Sequence, residues 1–179
     1  MAGPGIPHHA HSDDHRRIGI FISVLAVLMA IVTALAKAEA NKMIVKEVQA
    51  SNSYAWYQSK RQRSYMNELE IHRINFELAG SISEAQREVL ERTRAKLTAK
   101  NDEYETENKD IQARAESEKK LAESASHRHH WFEYSEILLH IAVVLSSLTL
   151  LTEQKLFFKL GLGATVGGIV LALFAWFVH

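Results

Sequence analysis

The residues with the most chemical potential in this chain are ionisable groups set in an apolar stretch. Glu133, Glu136 and His140 stand at the start of a segment that runs apolar from Trp131 to Thr152. Glu136 and His140 are four apart, so a helix puts them on one face. Without Trp131 to Glu136 the segment is too short to cross a bilayer, which takes roughly 20 mostly apolar residues. The pair therefore belongs within or at the edge of an apolar slab. Ionisable groups there are costly, face protein or water, and often mark ion or proton paths. The blander reading is polar glue between helices.

Two histidine clusters come next. His8, His9, His11 and His15 lie beside Asp13 and Asp14. Imidazoles with carboxylates suit zinc, copper or nickel, and His-rich tails also bind such metals adventitiously. His127 and His130 are three apart, with Glu123 four before His127. On a helix these three share a face, as a partial metal site would. Trp131 and Tyr134 beside them equally suit an interfacial belt. The reading is that no cofactor is resident, with metal as the alternative. Tyr54, Trp56, Tyr57 and Tyr65 are mixed with Gln58, Lys60, Arg61 and Arg63. Such mixing can stack on nucleic acid, but contacts between helical stalks account for it and no nucleic-acid partner is expected. No phosphate-binding loop, dinucleotide fingerprint, nucleophile elbow or zincin helix occurs in the sequence, so no catalytic residues are assigned and no enzyme is expected.

The elements that must position these groups are set by hydropathy. Three apolar segments, Ile18 to Ala36, Trp131 to Thr152 and Leu156 to Val178, approach or exceed the length of a membrane span. Between the first two lie 17 of the 21 Lys and Arg and 16 of the 21 Asp and Glu, mixed in sign, so the insertion is neither a basic arm nor an acidic tail. Residues 1–17 read as a polar His-rich tail. Arg16 and Arg17 ahead of an apolar run that ends Ala34-Leu35-Ala36 resemble a secretory leader. The run is longer than a signal core and is read as an anchor. Without cysteine there is no disulfide framework.

Proline occurs only at positions 4 and 7, so long helices are permitted. The insertion, 37–130, reads as an antiparallel helical hairpin with its turn at 80–83. Gly80 suits a left-handed position just past a helix end, and Ser83 with Gln86 three residues on forms a capping box. The arms are of near-equal length, about 65 Å each by helical rise, which returns the chain to the membrane it left. Leu69, Phe76, Leu90, Leu97, Tyr104 and Ile111 share one seven-residue register, a half-seam that would pair Phe76 with Leu90, Leu69 with Leu97 and Ala55 with Ile111. A seam so thin implies packing against other copies. In the last span Gly163 with Gly167, and Ala164 with Gly168, repeat the small-residue spacing that lets membrane helices approach. The fold expected is thus all-α: three transmembrane helices with a long, coiled-coil-like hairpin between spans one and two.

The chain resembles the small bacterial membrane proteins known as domain of unknown function 4337. The likeness rests on the His-rich tail before Arg16-Arg17, and on Tyr54-Ala55-Trp56-Tyr57-Gln58-Ser59-Lys60, similar to a W-x-Y-x-Q-x-K-like stretch of the family. It rests also on Glu123-Ser124-Ala125-Ser126-His127, on His129-His130, and on a span ending Leu150-Leu151-Thr152. Where the family typically follows that threonine with arginines, Glu153-Gln154-Lys155 stand here. The resemblance implies three spans, a bacterial inner membrane and no established activity.

The short flanks carry Arg16, Arg17, Lys155 and Lys159, which favours a cytoplasmic N-terminus and a periplasmic hairpin. The leading expectation is a non-enzymatic membrane protein, surrounded by lipid, that forms a homo-oligomeric scaffold or an accessory subunit of a larger membrane complex. Two alternatives stand beside it: proton or ion handling through Glu136 and His140, and metal binding by the histidine clusters.

Overall fold

A computed structural model describes the backbone of residues 9–177, with side chains from Asp14 onward. Three helices account for nearly all of it: α1 (His9–Leu78), α2 (Glu84–Thr152) and α3 (Lys155–Phe177). No strand occurs among the described residues. Each helix is long and apolar enough to cross a membrane. Within the stretch read as a polar tail, 1–17, the backbone is already helical from His9, because nothing after Pro7 interrupts a helix. His8 lies outside the described residues.

The first break falls between Leu78 and Glu84. Gly80 donates its backbone N–H to the Glu77 carbonyl at 3.0 Å and does not take a left-handed backbone. The left-handed position expected there is found at the other break, where Glu153 has φ 56° and donates its N–H to the Thr149 carbonyl at 2.9 Å. The start of α2 is capped reciprocally. Gln86 N–H donates to Ser83 Oγ at 3.4 Å, and Ser83 N–H to Gln86 Oε1 at 3.1 Å.

The chain divides into two compact units: residues up to Met43 together with those from Glu123, and Ile44–Ala122. In the first unit the usual distribution of side chains is inverted. Ile20, Val27, Ile31, Val144, Leu160, Val166 and Leu173 are exposed, while Ser135, Ser146, Thr149 and Thr165 are buried. Only 11%, 28% and 22% of the most apolar windows of the three helices are buried, so most of their apolar surface faces outward. A contiguous apolar surface of this kind is unfavourable in water. Leu25, Val32, Phe132 and Leu139 form the apolar core of the unit, together with the buried Ala36, Ala142 and Ala175.

Small residues bring α2 and α3 together. Gly161, Thr165, Gly168 and Ala175 are buried on one face of α3. A Cβ at Gly161 would come 2.9 Å from Ser146 Oγ and 3.2 Å from the Ala142 carbonyl. Ser135 Oγ donates to the Gly168 carbonyl at 2.7 Å. Within the chain, Gly163 and Gly167 do not lie on this packed face. Gly163 has no heavy atom within 4 Å of where its Cβ would stand, and Gly167 meets only Leu138, at 3.3 Å. Of the second small pair, Gly168 is buried and Ala164 half-buried. Four glycines offer two faces, and the one that packs also carries Thr165 and Ala175.

In the second unit the two helices run antiparallel, joined by polar pairs. Ser53 donates to Glu118 at 3.0 Å, Lys60 to Glu107, and Asn67 Nδ2 to Asn101 Oδ1 at 3.0 Å. Arg94 donates to Asn75 at 3.1 Å. Ser53, Lys60, Asn67 and the buried Ile74 are seven apart, so this is one helical row. Lys60 lies over the rings of Trp56 (5.6 Å) and Tyr104 (5.5 Å).

The half-seam read from apolar spacing differs from this on α1. Leu90, Leu97, Tyr104 and Ile111 are half-buried, but Leu69 and Phe76 are 65% and 84% exposed. A half-buried row admits Ser, Asn and Lys when each finds a partner across the interface, and a search for apolar repeats does not register such a row.

Candidate functional site

Of the ionisable residues singled out from the sequence, Glu133 and Glu136 lie where α1 and α2 meet in the first unit, within three successive polar links. Thr33 Oγ1 donates to Glu136 Oε1 at 2.7 Å. His129 Nδ1–H donates to the Ala36 carbonyl at 3.0 Å, while its Nε2 stands 3.3 Å from Glu133 Oε1. Arg128 Nη2 stands 3.1 Å from Glu39 Oε2. Residues 33, 36 and 39 climb one face of α1, and 136, 129 and 128 descend α2 opposite them.

Glu136 and His140 are not joined to each other by their side chains. Glu136 is half-buried and engaged with Thr33, whereas His140 is exposed and donates Nδ1–H to the Glu136 backbone carbonyl at 2.9 Å. Sharing a helical face is therefore not enough to make a pair. A helical His can turn back onto the carbonyl four residues earlier, and Glu136 reaches a neighbouring helix instead.

Glu123, His127 and His130 are all exposed, and His130 donates Nδ1–H to the Ser126 carbonyl at 2.7 Å. Among the described residues no three His, Asp or Glu side chains converge as metal ligands would. His15 lies near the start of α1. The side chains of His9 and His11 are outside the described set, as is His8.

Four participants were not among the site residues read from the sequence: Thr33, Glu39, Arg128 and His129. Their signal was faint. Glu39 is one acid a few residues past an apolar run, and Arg128 is one base amid histidines. Their link is also incomplete. Arg128 Nε and Glu39 Oε2 are buried without a hydrogen-bond partner, although the Arg128 guanidinium also donates to Ser124 Oγ at 3.2 Å. Trp131 closes the collar on the α3 side, edge-on to Phe174 at 4.9 Å and to Tyr134 at 5.9 Å.

In the second unit, charged groups on the helix surfaces are paired locally. The Lys100 ammonium is held above its usual range by its hydrogen bond to Glu103. That change leaves it charged at any neutral pH.

Three helices each long and apolar enough to cross a membrane, with small polar groups inside and apolar groups outside, make this an all-helical protein consistent with a membrane protein. More particularly, residues 14–178 match the family described as Domain of unknown function (DUF4337), and the chain belongs to it. No curated protein and no solved structure matches the chain.

Proposed function

We propose that this is a non-enzymatic integral membrane protein whose copies assemble side by side through the hairpin, as a scaffold or as an accessory subunit of a larger membrane complex. One observation carries the reading. Val48, Leu69 and Phe76 are 53%, 65% and 84% exposed and share a seven-residue register. That register lies on the side of α1 away from the row of Ser53, Lys60, Asn67 and Ile74. Met66 and Val45, also exposed, flank it. The outward face of a solvated two-helix hairpin is normally polar. This row, with Ala55 and Gln62 at the positions between Val48 and Leu69, is apolar at its two ends and there fits a second helix, which a copy of the same chain supplies.

The inverted packing of the first unit supports the membrane setting, with lipid around the outward Ile, Val and Leu. Arg16, Arg17, Lys155 and Lys159 favour a cytoplasmic N-terminus in a bacterial inner membrane, with the hairpin in the periplasm. The engagement of Glu136 with Thr33 favours a role in clamping helices over one in moving protons. Proton handling through Glu136 and His140, and metal binding by the histidine clusters, are the lesser readings.

The chain has no cysteine, which makes the test direct. Leu69→Cys and Phe76→Cys should each give disulfide-linked dimers in membranes on mild oxidation, and Ile74→Cys, on the inner row, should not. Monomers throughout, together with a monomeric mass in gentle detergent, would remove the basis for the proposal.

A further inference from the structure

The three apolar helices leave a groove between them. Its inner part is a cavity of ≈ 390 Å³ lined only by apolar side chains, among them Leu28, Ile31, Leu35, Phe132, Leu173 and Trp176. From Leu35 to Leu28 it descends seven residues along α1, about 10 Å by helical rise. That depth lies within one leaflet of a hydrocarbon core of about 30 Å. A second cavity of ≈ 240 Å³ shares Leu35, Phe132 and Trp176 with the first and ends on Glu39, Lys42 and Arg128. The shared walls make the two cavities successive parts of one groove, an apolar shaft with a charged mouth.

The mouth is chemically specific. Lys42 and Arg128 outnumber Glu39, so it carries net positive charge. Arg128 Nε is a buried donor without an acceptor, and the buried Glu39 Oε2, though 3.1 Å from Arg128 Nη2, makes no aligned hydrogen bond and keeps room for a further donor. A ligand that satisfies both presents an anionic acceptor with a donor close beside it. Guanidinium groups take phosphate oxygens in a fixed fork geometry. An exposed helix of a second copy would bring no such headgroup, and a free phosphate would leave the shaft unused.

We propose that the groove holds one anionic phospholipid with a hydroxylated headgroup, of the phosphatidylglycerol kind. Its phosphate faces Arg128 and Lys42, its headgroup hydroxyl donates to Glu39, and one acyl chain fills the shaft. The bound lipid completes the polar links between α1 and α2 and seals the seam against α3 beside Trp176. The proposal rests on the reading of the three helices as membrane spans.

The test uses the full chain, extracted from membranes in mild detergent, stripped of lipid, and offered phosphatidylglycerol or phosphatidylcholine of the same acyl length. Native mass spectrometry counts retained lipids. One phosphatidylglycerol per chain is expected, preferred over phosphatidylcholine by about tenfold, as hydrogen bonds to charged groups allow. Ile31→Trp fills the shaft from a position that is already 52% exposed, so the fold tolerates it, and should abolish retention. The double variant Glu39→Gln/Arg128→Gln keeps the mouth matched in size and should lose the preference while still taking a chain. Equal retention of the two lipids, indifference to both variants, or displacement by inorganic phosphate at the lipid's own concentration overturns the proposal. A prior alkaline carbonate wash separates the two levels of inference. Release of the chain by the wash would sink the membrane reading itself. A chain that resists the wash yet retains no phosphatidylglycerol overturns the lipid site alone.

Discussion

Replacing Gly168 by alanine tests the contact on which the packing of α2 and α3 depends. The new Cβ would stand 3.0 Å from Leu139 Cγ, 3.1 Å from Leu139 Cδ2 and 3.2 Å from the Ser135 carbonyl oxygen. Leu139 is fully buried and the carbonyl belongs to a helix backbone, so neither can swing clear. Overpacking of this sort costs ~1–3 kcal/mol. Alanine returns ~1 kcal/mol of helix propensity over glycine. The net expectation is a loss of up to ~2 kcal/mol. At Gly163 the same substitution meets no heavy atom within 4 Å, so only the favourable part remains. The two alanine variants should therefore differ by ~1–3 kcal/mol, with Gly168→Ala the less stable. Unfolding of the full chain in mixed micelles by increasing sodium dodecyl sulfate, followed by far-ultraviolet circular dichroism, reads the difference as a shift in midpoint. If Gly163→Ala destabilises as much as Gly168→Ala, the packing face of α3 has been assigned wrongly.

Three further outcomes follow from the geometry. Ser135→Ala should cost ~0.6–1.7 kcal/mol in the same assay, the range for hydrogen bonds between helices in a bilayer, because it removes the 2.7 Å bond to the Gly168 carbonyl. Asn67→Leu should destabilise the hairpin by ~1 kcal/mol by leaving the half-buried Asn101 Oδ1 without its donor while Asn101 Nδ2 keeps the Ser64 carbonyl at 3.4 Å, and adding Asn101→Leu should recover most of that loss. Thermal unfolding of the two single variants and the double variant closes this double-mutant cycle, and a double loss equal to the sum of the single losses would mean the pair does not interact. Glu153→Gly should raise stability by ~1 kcal/mol, since φ 56° strains any residue with a Cβ, and an unchanged or lowered unfolding midpoint would contradict that backbone assignment.

Local features could be read along the chain one residue at a time. Apolar runs of membrane length, the lack of proline after position 7, and the capping pair Ser83 and Gln86 act within a few residues of themselves. Which face of each helix is buried is another matter. Leu69 and Phe76 have the strongest apolar repeat on their part of α1, yet they point outward. Gly163 and Gly167 have the best small-residue spacing in α3, yet the buried glycines are Gly161 and Gly168. Glu136 and His140 share a face but do not join, and Glu136 turns to Thr33, more than a hundred residues earlier in the chain.

The sequence by itself determined the helices, their lengths, their breaks and their apolar character, because backbone hydrogen bonding and hydropathy are set by neighbours in the chain. Only the tertiary structure decided the polar row of Ser53, Lys60 and Asn67, the collar of Glu39, Arg128 and His129, and the groove that opens on it. Each of those depends on a partner from another helix. A serine, a lysine or an arginine enters an interface only when that partner is brought within hydrogen-bonding reach, and the order of residues along one helix does not say which side of it will meet another.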